Sequence, residues 1–370
     1  MQVFYNSIFQ GLCPREFHET TLGKSLVKIH YCLQNFTCAY ILRMLNQTPT
    51  DLFSPITPFH HGLLPEHDGH KVYFEECGNP KGIPIVFLHG GPGSGCSPKH
   101  RQFFDPNICR AILFDQRGCG RSTAENLLFK NDTPHLIQDM ERLRKHLGID
   151  KWLVIGGSWG GGLALAYACQ HPEAFSAAVL RNTFLSRRSD LKWFFQDAKQ
   201  FMPDAWGKLV EHIPDKFHDD ICQYLCRNIL GADKEIALKL AQSWNTWENA
   251  LLQRSFADSS TTQLSPQDAD KLIDKYKIQS HYLQNLCFFP EEGLLPHLSS
   301  FTNIQIELLQ GRLDWVCRPE SSWDIHHKIP HSRLQWVENA GHGIFETPMV
   351  HCMVNTINSS VASLQKLKSN

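Results

Sequence analysis

From residue 83 onward the chain alternates short apolar runs with stretches of helical periodicity. The apolar runs read IPIVFLHGG, CRAILFDQRG, KWLVIGG, FSAAVLRNT and, much later, IQIELLQGRLD and SRLQWVENAGH. Each leads into a loop bearing Gly, Asp, Arg or His. Strands buried on both faces, as in a parallel sheet covered by helices, have this near-continuous texture, whereas half-exposed strands alternate apolar with polar. The pattern predicts an α/β fold with a mostly parallel central sheet whose loops carry the chemistry.

Between residues 185 and 296 the texture changes. DLKWFFQDAKQFMPDAW and KEIALKLAQSWNTWENALL are tryptophan-rich and helical in spacing, with no strand-like run. A helical domain inserted over 185–296 is expected, dividing the core into a first part, 51–184, and a second, 297–370. Residues 1–50 stand apart as an N-terminal extension. Leu22, Leu26, Ile29, Leu33, Phe36 and Tyr40 fall at helical spacing without a clean polar face. A docked helix, a targeting segment and translated sequence upstream of a start at Met44 all fit that segment.

Composition narrows the function classes. Thirty-six Lys and Arg against 37 Asp and Glu give a net charge of −1 over 370 residues, so charge does not point to nucleic acid or an anionic membrane as the main partner. No run approaches the ~18 consecutive apolar residues of a membrane span. The thirteen cysteines are scattered without a CxxC pair, which points to neither a zinc site nor a disulfide framework but to reduced thiols in the cytoplasm. The N-terminus lacks the basic start, apolar stretch and small-residue cleavage site of a secretory signal. No metal or cofactor is expected, and the oligomeric state is left open.

The densest cluster of chemistry is GGSWG, Gly156 to Gly160. It is a G-x-S-x-G element placed after a predicted strand and before a predicted helix, where a serine on a sharp turn needs small neighbours. Hydrolases of this plan carry their acid and base later in the chain, in the order Ser, Asp, His. Asp314 in QGRLDWVC and His342 in ENAGHGIFE follow two successive strand runs. Ser158 is therefore the candidate nucleophile, His342 the general base and Asp314 its orienting carboxylate. LHGGPGSG, Leu88 to Gly95, follows an earlier strand and lacks the lysine of a phosphate loop. The backbone N–H groups of Gly91 and Trp159 are the candidate oxyanion donors. In DQRGCGRS, Asp115 and Arg117 are expected to brace the loop beneath that hole, with Cys119 packed as a small residue.

HGGPG, DQRGCGRS, GGSWG and LALAYA, together with DLKWFFQ, WNTWE and SHYLQN, resemble the proline iminopeptidases, serine peptidases of the α/β-hydrolase superfamily. The resemblance spans about residues 60 to 365. It implies an α/β-hydrolase fold in which the helical insertion caps the site, and release of N-terminal proline from small peptide substrates without metal or cofactor. It places Ser158, Asp314 and His342 on the family's triad. In the family, acidic residues of the cap bind the substrate's free amino group, and Glu248 in TWENA matches one of them.

The other family glutamate is replaced by Gln279, and Leu283 stands where the family has an aromatic of the proline pocket. Arg181 and Phe184 are kept in LRNTF, where the family has LRGIF, while Gly161 and Gly162 replace the usual Ser-Thr. These departures concern recognition rather than hydrolysis. An esterase or amidase with no need of a free amine is the first alternative, and a non-catalytic ligand-binding protein the second.

Overall fold

The computed structural model describes residues 51–231, 233–254, 264–301 and 304–369. The expected N-terminal extension, with its candidate start at Met44, lies outside the described residues. Eight strands form the main sheet: β1 His60–Leu63, β2 Tyr73–Gly78, β3 Ile83–Leu88, β4 Cys109–Phe114, β5 Trp152–Gly157, β6 Phe175–Arg181, β7 Ile306–Gly311 and β8 Arg333–Val337. Their order across the sheet is β1-β2-β4-β3-β5-β6-β7-β8. The β1–β2 and β2–β4 pairs are antiparallel and all others are parallel. The sheet is the mostly parallel one that the apolar runs predict.

The two faces of the sheet explain why those runs are continuous. Alternate residues of β3, β4 and β5 enter opposite cores: Val86, Leu88, Ile112, Phe114, Trp152 and Val154 on one side, and Ile85, Phe87, Ala111, Leu113, Leu153 and Ile155 on the other. The first core is covered by helices α1 Thr133–His146 and α2 Trp159–Gln170. The second is closed by Met349, Met353 and Ile357 of the C-terminal helix. With both faces covered, a polar residue at a central strand position would be buried without a partner.

Helix α2 lies tightly against the end of β3. A Cβ on Gly160 would come 2.2 Å from the Leu88 carbonyl oxygen, and one on Gly156 would come 2.3 Å from the Gly160 oxygen. Both positions are closed to any side chain, so the glycines set how deeply the β5–α2 turn sits in the sheet.

Between β6 and β7 the described residues are helical: α3 Arg188–Phe195, α4 Pro203–Val210, α5 Ile221–Gly231, α6 Lys234–Gln253 and α7 Pro266–Gln284, with short 3₁₀ turns. Helices α8 Pro319–Lys328 and α9 Thr347–Ser369 complete the fold. None of the described helices is long and apolar enough to cross a membrane. The ten described cysteines are free thiols.

One side chain fastens the ends of the last three strands. Asn182 follows β6 with φ 47°, a left-handed conformation that Asn tolerates better than most residues. Its backbone N–H donates to the Leu309 oxygen at 2.9 Å, its Oδ1 accepts from Gly311 N–H at 2.8 Å and its Nδ2 donates to the Gly341 oxygen at 2.9 Å. Gly311 and Gly341 lie at the roots of the loops that carry Asp314 and His342. Asn182→Gly keeps the backbone conformation but strips two buried backbone groups of their partners, each worth about 1–3 kcal/mol. A loss of roughly 2–4 kcal/mol is expected in urea unfolding, and a shift below about 0.5 kcal/mol would show that the clip contributes nothing.

Candidate active site

Ser158 sits between β5 and α2 with φ 56° and ψ −124°, a conformation that costs a residue with a side chain on the order of 1–3 kcal/mol. The surrounding backbone holds it there. Its N–H donates to the Arg181 oxygen at 2.9 Å, and its carbonyl accepts from Gly161 N–H and Phe184 N–H, each at 3.0 Å. The turn is thus tied both to α2 and to the segment leaving β6. Gly162 belongs to the same packing, since a Cβ there would come 2.4 Å from the Phe184 oxygen. A threonine at this position is incompatible with the path that RNTF takes in this chain.

Asp314 and His342, 28 residues apart, meet in the loops after β7 and β8. His342 Nδ1 lies 2.7 Å from Asp314 Oδ2, and Asp314 Oδ1 accepts from the N–H groups of Val316 at 2.8 Å and Cys317 at 2.9 Å. Asp314 and His342 are both buried. The His342 loop is itself anchored: Glu346 accepts from Gly341 N–H at 2.8 Å and Gly343 N–H at 2.9 Å, and Arg181 donates to the His342 carbonyl at 2.5 Å. Burial lowers the pKa of the Arg181 guanidinium, and Asp314 is the largest influence opposing that shift.

Ser158 and His342 line one cavity of about 200 Å³, together with Gly90, Gly91, Ser94, Arg181, Phe184, Glu248, Gln279 and Leu283. Its volume lies below the ~300–1,000 Å³ of sites for drug-sized ligands and suits an acyl group of about one residue. The hydroxyl of Ser158 is 3.8 Å from Cys317 Sγ. No hydrogen bond joins Ser158 Oγ to His342 in this structure; such nucleophile–base bonds often tighten only in the complex with substrate. Gly91 faces this cavity with φ 117°. Trp159 opens α2, where a helix N–H has no intrahelical acceptor. Its indole is buried, donating to Gln116 Oε1 at 2.8 Å.

The loop carrying Gly91 is held by His89 and Asp115. His89 Nε2 accepts from Gln116 N–H at 3.0 Å, and its Nδ1 lies 2.8 Å from the Gly90 oxygen and 3.2 Å from Gly95 N. Burial lowers the pKa of this imidazole. Asp115 Oδ1 accepts from Cys96 N–H at 2.7 Å, while Oδ2 accepts from Arg121 Nε at 2.7 Å. Asp115 therefore braces the loop as expected, but its cationic partner is Arg121. Arg117 is fully buried against Asp139 of α1, with Nη2 donating to Oδ1 at 3.0 Å. Cys119 is packed in the core.

Glu248 is carried by α6 and Gln279 and Leu283 by α7. Glu248 Oε2 accepts from the Tyr276 hydroxyl at 2.7 Å and from Lys275 Nζ at 3.2 Å. Burial opposes its charge, but Lys275 and Tyr276 outweigh burial and hold the carboxyl below the usual range. Gln279 Oε1 is buried and has no hydrogen-bond partner among the described residues. Phe194, Phe195, Leu191 and Leu252 complete the apolar wall, with Val316 and Cys317 beside the acid. Sequence reading missed these wall residues, along with His89 and Lys275. Only the aromatic pair in DLKWFFQ gave a signal for the wall.

The family described as alpha/beta hydrolase fold matches residues 83–348. A proline iminopeptidase of Xylella fastidiosa is 41% identical over 316 residues, covering 84% of this chain and 99% of its own. One of Xanthomonas citri is 42% identical over 305 residues, covering 82% and 97%. The crystal structure of proline iminopeptidase from Mycobacterium smegmatis, 18% identical, superimposes with a TM-score of 0.56 over 82% of this chain and 100% of that one, a likeness of fold. The chain belongs to the proline iminopeptidase family of the α/β hydrolases.

Proposed function

We propose that the protein releases N-terminal proline from small peptides through a covalent acyl-enzyme on Ser158. The observation that carries the reading is the meeting of Ser158, His342 and Glu248 in one cavity of single-residue size. Ser158 Oγ attacks the prolyl carbonyl while His342 Nε2 takes the hydroxyl proton. The Gly91 and Trp159 N–H groups receive the oxyanion, and Asp314 holds Nδ1–H and stabilises the imidazolium. His342 then protonates the leaving peptide amine, and water, deprotonated by the same imidazole, hydrolyses the acyl-enzyme. Phe184 and Leu283 form apolar walls for the ring, Arg181 fixes the His342 loop, and Glu248 with Gln279 faces the substrate's imino nitrogen.

A second reading, an esterase or amidase with no need of a free amine, is favoured by one observation. Among the described residues that line the cavity, the one carboxylate is already paired with Lys275, and a neutral amide lines the same cavity. Comparing a prolyl-arylamide, other aminoacyl-arylamides and a short acyl ester separates the two. Preference for the prolyl amide supports the iminopeptidase, and turnover of the ester alone supports the alternative.

The catalytic roles have their own test. A fluorophosphonate probe is expected to label Ser158, with labelling abolished in Ser158→Ala; a mutant that still labels uses another nucleophile. Asp314→Asn should lower kcat by on the order of 10⁴-fold, because the histidine then takes the wrong tautomer. A loss below about tenfold would remove Asp314 from this role.

Gln279→Glu tests recognition. A charge-assisted hydrogen bond is worth about 1.5–3 kcal/mol against ~0.5–1.5 kcal/mol for a neutral one. The ratio of kcat/KM for prolyl-arylamide to that for a neutral ester should therefore rise about tenfold, since ~1.4 kcal/mol is one decade. If both substrates respond alike, position 279 does not face the amine.

A further inference from the structure

Glu248 belongs to α6, and the cation that holds it belongs to α7. Lys275 Nζ lies 3.2 Å from Glu248 Oε2 and 3.5 Å from the Tyr276 hydroxyl, with Lys275 25% exposed and Glu248 18%. Gln279 is one helical turn beyond Lys275, at the i+4 position that shares its face, and presents its unpaired Oε1 in the buried wall. The protein's own ammonium thus engages Oε2 of the carboxylate, and Gln279 lines the same cavity as Glu248. A second cation brought to Glu248 would be repelled by the first, an effect strong within ~4–6 Å.

We propose that Lys275 is a specificity-determining residue: its ammonium, held on Glu248 Oε2 from outside the residues that line the catalytic cavity, weakens the pull of that carboxylate on a substrate's N-terminal ammonium. Lys275 thereby sets how strongly the enzyme prefers a charged to an uncharged N-terminus. The inference rests on the reading of Glu248 as the amine-binding carboxylate. A purely structural tie between α6 and α7 would give the same distances but no dependence on substrate charge.

The experiment uses the full chain and a non-hydrolysable pair of probes, L-prolinol, which is cationic at neutral pH, and N-acetyl-L-prolinol, which is not. Each is measured as a competitive inhibitor of ester hydrolysis. Lys275→Met should lower the Ki of L-prolinol about tenfold, or about 1.4 kcal/mol, and move that of the acetylated probe by less than about twofold. Lys275→Arg, which keeps the charge, should leave the ratio of the two constants near that of the wild type. If the methionine variant does not fold, Lys275→Gln carries the same expectation.

A pH series adds a readout that a structural tie would not move. The titratable and charged groups facing Glu248 are Lys275 and Tyr276 from α7 and His342 from the loop after β8, with Arg181 in the same cavity. With Lys275 gone, burial raises the Glu248 carboxyl, and cation binding requires its ionised form. L-prolinol inhibition should therefore fade, as pH falls, at a higher pH in the variant than in the wild type. An unchanged or higher Ki for L-prolinol in Lys275→Met, or equal shifts for both probes, would overturn the proposal. Failure of the wild type to hydrolyse prolyl-arylamide would instead count against the iminopeptidase reading, and the inhibitor pair would still decide the role of Lys275.

Discussion

The geometry of the whole site follows from the contact of Gly160 with the Leu88 carbonyl, where a Cβ would come within 2.2 Å. That contact lets α2 start almost inside the sheet, and Ser158 must then turn the chain within one residue, at φ 56°. The strain is sustained because four backbone hydrogen bonds tie Ser158 to Arg181, Gly161, Gly162 and Phe184. A looser turn would move the hydroxyl and the first N–H of α2 together, and with them both the proposed nucleophile and one of the proposed oxyanion donors. Preorganisation of this kind is where electrostatic stabilisation comes from, since the donors need not move when charge develops.

The segment leaving β6 passes that constraint on to the proposed acid and base. Arg181 receives the Ser158 N–H on its carbonyl and reaches the His342 carbonyl with its side chain. The next residue, Asn182, ties Gly311 and Gly341. Two consecutive residues thus link the nucleophile turn to both later loops. A parallel sheet makes this economical, because the carboxyl ends of neighbouring strands lie side by side however far apart they are in sequence. The 28 positions that separate Asp314 from His342 are taken up by α8, β8 and the loops around them.

The parts that were legible in the sequence share a property: a local chemical requirement writes them into a short stretch. The strands of the core show as apolar runs because both faces are covered. Ser158 shows because its turn demands glycines on both sides, and Asp314 and His342 show because they follow strands in a fixed order. What stayed hidden depends on residues far apart in the chain. Nothing local says that Asp115 pairs with Arg121 while Arg117, two positions from it, turns to Asp139. Asn182 reads as a mere departure from glycine until Gly311 and Gly341 are seen beside it. Lys275 is one of many lysines on polar helical sequence, and its partner is 27 residues away on another helix.

The recognition end of the cavity obeys a different balance from the catalytic end. A carboxylate removed from water needs a partner even when no substrate is bound, and two carboxylates facing one small cavity would raise each other's pKa. In this chain a neutral amide stands at position 279 and Lys275 pairs with Glu248. Under the proposed reading, that pair weakens the pull of Glu248 on an incoming ammonium. The proposed hydrolytic groups carry no such conflict: Asp314 accepts from Val316, Cys317 and His342, all supplied by the protein itself. Substitution at the recognition end can therefore change which amines or esters enter while the Asp314–His342 geometry stays fixed.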